Sequence, residues 1–219
     1  MWYFKNKKMK IEHRNDLGNL LTHYGLNGKG VEIGTFKGEF AKTILSNWNG
    51  TLYMIDPWRG LDENYIDSSN HYNHNNVYSD CMNNLRGFED RSFMLRGLSN
   101  QLVELFDDNS LDFVYIDGNH AYEFVKEDIQ LWFKKVKKGG LVSGHDYILF
   151  DGKKENWYKD QNWINNGKDK HIWSNDGSDK PMTYAGIFGV NTSVDEFGSE
   201  NNYNINHTNE FFSSWYFFK

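Results

Sequence analysis

The chain has 219 residues, a formal net charge of -6 and a single cysteine, Cys81. That length buries a sizeable core and makes one domain, 1–219, the expectation, while the acidic balance argues against a nucleic-acid partner. The lone thiol excludes an internal disulfide, and no run reaches the ~20 apolar residues that span a bilayer.

The basic, aromatic start at residues 1–10 lacks a sustained apolar stretch, so no signal peptide is read there and a reducing, cytoplasmic setting is expected. Residues 15–26 read as an N-terminal helix closing near Gly25. The segment Val31-Glu32-Ile33-Gly34-Thr35-Phe36-Lys37-Gly38 follows Gly30 and leads into Phe40, Ala41, Ile44, Leu45 and Trp48 at helical spacing. Glu32 and Gly34 belong where a buried strand gives way to a helix, and Gly38 in the first helical turn. Glycines there let backbone approach a ligand, and a helix start offers unpaired N–H groups. A second apolar run, residues 51–55, ends in Asp56. Strand, Gly-rich turn, helix, strand and terminal acid make the nucleotide-binding half of an open α/β sheet, with the acid placed for ribose hydroxyls.

Residues 62–76 are polar, and His71 and His74 within them read as solvated. Residues 77–85 suit a helix with Cys81 facing the core, 92–95 a third strand, and Leu102, Val103 and Phe106 a short helix. The continuous apolar run 112–117 is the pattern of a strand covered on both faces. Gly118, Asn119 and His120 make its turn. Tyr122, Val125, Ile129, Trp132 and Val136 form a helix face, which Gly139 and Gly140 are expected to stop. The lysines of 134–138 then read as a solvated helix end that complements the dipole. Residues 141–146 give the next strand. From 147 to 185 periodicity fails, and Trp157, Trp163 and Trp173 mark a lid or substrate-binding insertion. A helix over 190–197 and strands over 203–207 and 213–218 close the chain.

Alternating strands and helices imply a mostly parallel sheet with right-handed crossovers, whose ligands gather at the carboxyl ends of the strands. Glu32, Asp56, Asp117, His145 and Asp146 fall there. The glycine spacing is E-x-G-x-x-x-G rather than G-x-G-x-x-G. An acid in the turn would repel a pyrophosphate but suits a ligand that carries an ammonium and a sulfonium.

That pattern resembles the class I S-adenosylmethionine-dependent methyltransferases. The resemblance implies a Rossmann-like α/β fold: a mostly parallel seven-stranded sheet, helices on both faces, the last strand antiparallel. It implies S-adenosyl-L-methionine as cofactor, held by Glu32, Gly34, Thr35, Gly38, Asp56 and Asp117. Ser99, in Arg96-Gly97-Leu98-Ser99, matches where such enzymes often meet the adenine. Residues 115–120 and 144–147 are similar to the metal-assisted sugar O-methyltransferases of the macrocin and novobiocin type. In that group the pattern is D-G-D after the fourth strand and D-D-Y after the fifth. By position the metal ligands become Asp117, His145 and Asp146, and the base position is held by Asn119. An amide cannot take a proton at neutral pH, so the catalytic candidates are His120 and His145. A His among the ligands shifts preference from magnesium toward manganese, iron or zinc.

The expected activity is methyl transfer to a hydroxyl of a small-molecule or sugar acceptor, with no nucleic acid or membrane partner; a homo-oligomer stays open. Two rivals remain. A nicotinamide-dependent oxidoreductase shares the open sheet but lacks its glycine pattern here. A binding protein that kept the fold without turnover is favoured by Asn119.

Overall fold

In the computed structural model, residues 9–60, 72–148, 164–165, 168–169, 189–210 and 212–219 are described. Most of the lid expected over 147–185, with its three tryptophans, lies outside those residues, as does His71.

A 3-10 turn, Arg14–Asp16, leads into α1, Leu17–His23. The strands β1 (Lys29–Ile33), β2 (Thr51–Asp56), β3 (Ser92–Arg96), β4 (Leu111–Ile116) and β5 (Val136–Ile148) alternate with α2 (Glu39–Asn47), α3 (His74–Asn84), α4 (Ser99–Leu102) and α5 (Tyr122–Lys135). A two-residue antiparallel pair follows, β6 (Ile164–Asn165) with β7 (Lys168–Asp169). Then come α6 (Val190–Asn201), β8 (Asn206–His207) and β9 (Phe212–Phe218).

Seven strands form one sheet in the order β3-β2-β1-β4-β5-β9-β8. β1 to β5 pair in parallel, and β9 runs against both of its neighbours, β5 and β8. This is the Rossmann-like sheet expected from the sequence.

Strand alternation divides the core in two. Val114, Ile116, Trp215 and Phe217 face one side, where Val125, Ile129 and Trp132 of α5 and Val190 and Val194 of α6 cover them. Phe113, Tyr115 and Tyr216 face the other, under α1, α2 and α3. All six residues of β4 are buried, as its unbroken apolar run requires. Cys81 of α3 sits in the second cluster, fully buried. A Cβ on Gly38 would lie 2.8 Å from its Sγ.

Two boundaries differ from the sequence expectation. Gly38 precedes α2 as its left-handed cap residue, at φ 73°, rather than lying in the first helical turn. α5 stops at Lys135, because Val136 already turns extended and pairs with Leu111. Lys219 Nζ donates to the carbonyls of Phe133 and Val136, at 3.0 and 2.7 Å. The lysine run thus straddles a helix–strand junction, and Lys137 pairs with the buried Asp112.

Candidate active site at the strand ends

β1 sits between β2 and β4, so the chain leaves it toward one side and returns on the other, opening a crevice at the carboxyl ends. The turn after β1 closes that crevice tightly. Gly34 N–H donates to Ile55 O, and Asp117 N–H to Ile33 O, both at 2.8 Å. Gly34 has φ 82°, and a Cβ there would lie 1.9 Å from the carbonyl oxygen of Asp117. Only glycine satisfies both conditions.

Asp56 ties this turn to the end of β2. Its Oδ2 accepts the Phe36 N–H at 2.8 Å and its Oδ1 the Trp58 N–H at 2.7 Å. The buried Trp58 returns its indole N–H to Phe36 O at 2.8 Å. Arg96 holds the Trp58 carbonyl at 2.6 Å. Burial raises the Asp56 pKa, and the two amides pull it back. Each carboxylate oxygen keeps further acceptor capacity for a ligand's hydroxyls. His74 is not a solvated loop residue. It starts α3, half-buried, close enough to lower the Asp56 pKa, with Nε2 buried and unpaired among the described residues.

Glu32 is 1 % exposed in β1, and burial is the main cause that lifts its pKa to about 8, with the Thr35 hydroxyl pulling the other way and Asp117 adding to the rise. Its Oε2 and the Thr35 Oγ are both buried without an aligned hydrogen-bond partner among the described residues. Orphaned polar atoms are costly, and a pair of them beside a glycine turn fits a ligand's polar groups.

The second half of the site stands over β4 and β5. His120 Nε2 lies 2.8 Å from Asp146 Oδ2 and 3.8 Å from Asp117 Oδ1. His145 Nδ1 lies 3.1 Å from Asp146 Oδ1 and 3.6 Å from Asp117 Oδ1. Neighbours on a regular strand point to opposite faces. Here the β5–β9 register shifts between Gly144 and Tyr147, and Asp146 takes φ 57°, so both side chains reach one place. A non-glycine residue held in that conformation is strained and points to function.

Arg14 completes the cluster and was not legible from the sequence. Its Nη1 is 2.8 Å from His145 Nε2, its Nη2 is 3.3 Å from Asp117 Oδ2, and its guanidinium lies 3.9 Å from the centre of the Phe40 ring. Burial works to raise the Asp117 and Asp146 carboxyls, but His120 and His145 hold both low, helped at Asp117 by Arg14. Burial lowers the His145 pKa, and the two carboxylates carry it up to about 9. The Arg14 contact opposes that charge. A guanidinium can only donate, so Nε2 must accept. A neutral ring with Nδ1–H toward Asp146 satisfies both contacts, and we assign that state.

Asp117, His120 and Asp146 could hold a metal ion, with ligand atoms all within 4.8 Å of one another. His145 is not one of this set; its Nδ1 faces the two carboxylates and its Nε2 faces Arg14. Asn119, at the position of the expected base, accepts the Ala121 N–H at 2.9 Å and shapes the entry into α5. Ser99 donates to Asp128 Oδ1 at 2.5 Å, so its hydroxyl is engaged between α4 and α5.

A family model described as a methyltransferase domain matches residues 31–147. An uncharacterised protein of Acanthamoeba polyphaga mimivirus is 30% identical over 138 residues, 61% of this chain and 52% of its own. One of Sinorhizobium fredii is 26% identical over 121 residues, 53% of this chain and 13% of its own. The chain thus spans about half the length of the first relative and a small part of the second. Among solved structures, the O-methyltransferase of Bacillus cereus in complex with SAH has a TM-score of 0.59 at 14% identity, covering 94% of this chain and 80% of that one. TomG of Streptomyces achromogenes, an O-methyltransferase of tomaymycin synthesis in complex with SAM, has 0.60 at 13%, covering 94% and 79%. At such identities the likeness is one of fold.

Proposed function

This chain belongs to the methyltransferase-domain family, and on that premise we propose that it transfers a methyl group from S-adenosylmethionine to a hydroxyl oxygen of a small-molecule acceptor. The observation that carries the reading is the cradle around Gly34. Backbone there excludes a Cβ, and Glu32 Oε2 and Thr35 Oγ stand buried beside it, near enough for the hydroxyl to act on the carboxyl but with no aligned hydrogen bond among the described residues.

When bound, S-adenosylmethionine supplies a methyl group already activated on a sulfonium. The chain's own task is to align an oxygen with that group and remove its proton. Glu32 stands where it would face the cofactor's ammonium, and Asp56 where it would accept its ribose hydroxyls. His120 is the base in this reading. Its Nε2 lies 2.8 Å from Asp146 Oδ2 and 3.8 Å from Asp117 Oδ1, so the two carboxylates stabilise the imidazolium that forms when the ring takes the acceptor's proton. His145 does not suit the role, because Arg14 and Asp146 engage both of its nitrogens.

The ligand set of the sugar O-methyltransferases does not fit these residues. His145 stands at one ligand position, and Arg14, on its Nε2 and on Asp117 Oδ2, already brings a positive charge to that set. No step is assigned to a metal. A sugar acceptor and a cytoplasmic setting remain expectations of the sequence, with a homo-oligomer left open; no helix among the described residues is long and apolar enough to cross a membrane.

Titration calorimetry with S-adenosylhomocysteine and with NADH tests the cofactor, and transfer from labelled S-adenosylmethionine to a panel of hydroxylated acceptors tests the reaction. Binding of S-adenosylhomocysteine alone is expected. Binding of NADH alone would overturn the assignment, and cofactor binding without transfer to any acceptor would favour a binding protein.

A further inference from the structure

Arg14 reaches the strand-end acids from far along the chain, 103 residues from Asp117 and 131 from His145. Its placement is built rather than incidental. The 3-10 turn that carries it starts at His13, whose Nδ1 accepts the Asn15 N–H at 3.1 Å. Arg14 N–H donates to Glu210 Oε1, and Asn209 N–H donates to Glu12 O at 2.9 Å. The turn is therefore clamped to the connection between β8 and β9. From there the guanidinium lies over Phe40 at 3.9 Å, with the Tyr115 ring at 5.6 Å, and its two terminal nitrogens meet Asp117 and His145. A cation stacked on aromatic rings and paired with a half-buried carboxylate is held on several sides.

We propose that Arg14 is the resident cation of this site and takes the place of a divalent metal at Asp117, His120 and Asp146. The three groups lie close enough to share an ion. Yet Asp117 already carries a guanidinium at 3.3 Å, and an ion there would face that fixed positive charge across a half-buried site. Repulsion of this kind weakens metal affinity steeply. The arginine in turn supplies what an ion would otherwise give, a positive charge that balances the acids and fixes the His145 ring. The inference concerns the cation alone, and cofactor binding measured separately keeps it distinct from the methyl-transfer reading.

The experiment is Mn²⁺ binding, by equilibrium dialysis and by the metal-induced shift in melting temperature. It uses the wild type, Asp146→Asn, Arg14→Met and the Arg14→Met/Asp146→Asn double variant. Met keeps apolar contact with Phe40 and removes the charge. The wild type is expected to show no Asp146-dependent binding at about 1 mM free Mn²⁺, and Arg14→Met to bind roughly ten- to a thousand-fold more tightly. The double variant should lose that gain. Asp146-dependent retention of Mn²⁺ by the wild type would overturn the proposal, as would a folded Arg14→Met with no gain. Should Arg14→Met fail to fold, the comparison of wild type with Asp146→Asn still decides.

Discussion

The Phe36 amide donates to Asp56 Oδ2 at 2.8 Å, and this bond joins the glycine turn of β1 to the acid that ends β2. One carboxylate thus shapes the cradle and, in the proposed reading, also holds its ligand. Asp56→Ala removes both functions. S-adenosylhomocysteine affinity is expected to fall about 10- to 150-fold, from bonds worth roughly 1.5–3 kcal/mol. A lower melting temperature should accompany it, because the Phe36 and Trp58 amides lose their acceptor. Calorimetry and a thermal melt on one sample check both, and unchanged affinity in a folded variant would remove Asp56 from the cofactor site.

Glu32 gives a pH dependence with a definite sign. Its folded pKa of about 8 lies above that of an unfolded glutamate, so the folded chain holds a proton the unfolded one releases. The stability this contributes is complete below the unfolded value and is lost as pH rises toward 8. Glu32→Gln should abolish that slope in denaturant midpoints. An ammonium ligand needs the carboxylate, so cofactor binding should release a proton. Affinity should rise by up to about tenfold per unit from pH 6 to 7.5. Calorimetry in buffers of different ionisation enthalpy reads the proton directly, and the same slope in Glu32→Gln would assign it to another group.

His120→Gln should lower kcat by about 10²–10⁴ while the Kd for S-adenosylhomocysteine stays nearly constant. His145→Gln should act more mildly, since the amide can still accept from Arg14 and donate to Asp146. Steady-state kinetics on both variants separate the roles. A larger loss at His145 than at His120 would reverse the assignment.

Gly34→Ala places a methyl 1.9 Å from the Asp117 carbonyl in a backbone conformation that alanine avoids. The expected cost is at least about 2 kcal/mol, or roughly 4–8 °C in Tm for a chain of this size. Loss of cofactor binding should accompany it. A variant that melts and binds as the wild type does would contradict the crowding at that turn.

Much of this was legible because strands covered on both faces announce themselves. β1, β2 and β4 are short apolar runs, and Asp56 and Asp117 stand at their ends in the sequence as in the fold. Arg14 was not legible, because it sits in a polar stretch with no periodicity and acts through contacts more than a hundred residues away. Nor was the meeting of His145 with Asp146. Alternation would send them apart, and only the register shift against β9 with the positive φ of Asp146 brings them together. The end of α5 was misplaced because Gly139 and Gly140 look like a helix stop, whereas pairing of Val136 with Leu111 ends the helix earlier.

The burial of Cys81 beneath Gly38 has an experimental consequence. Burial is the main cause that pushes this thiol up to about 12, with Glu32 and Asp56 adding to it, and the sequence contains no other cysteine. A thiol reagent can reach it only when α3 parts from the glycine turn, so alkylation kinetics on the unmodified protein time the breathing of that seam. A cofactor that tightens the turn should slow the labelling, giving a chemical clock for ligand engagement that requires no engineered probe.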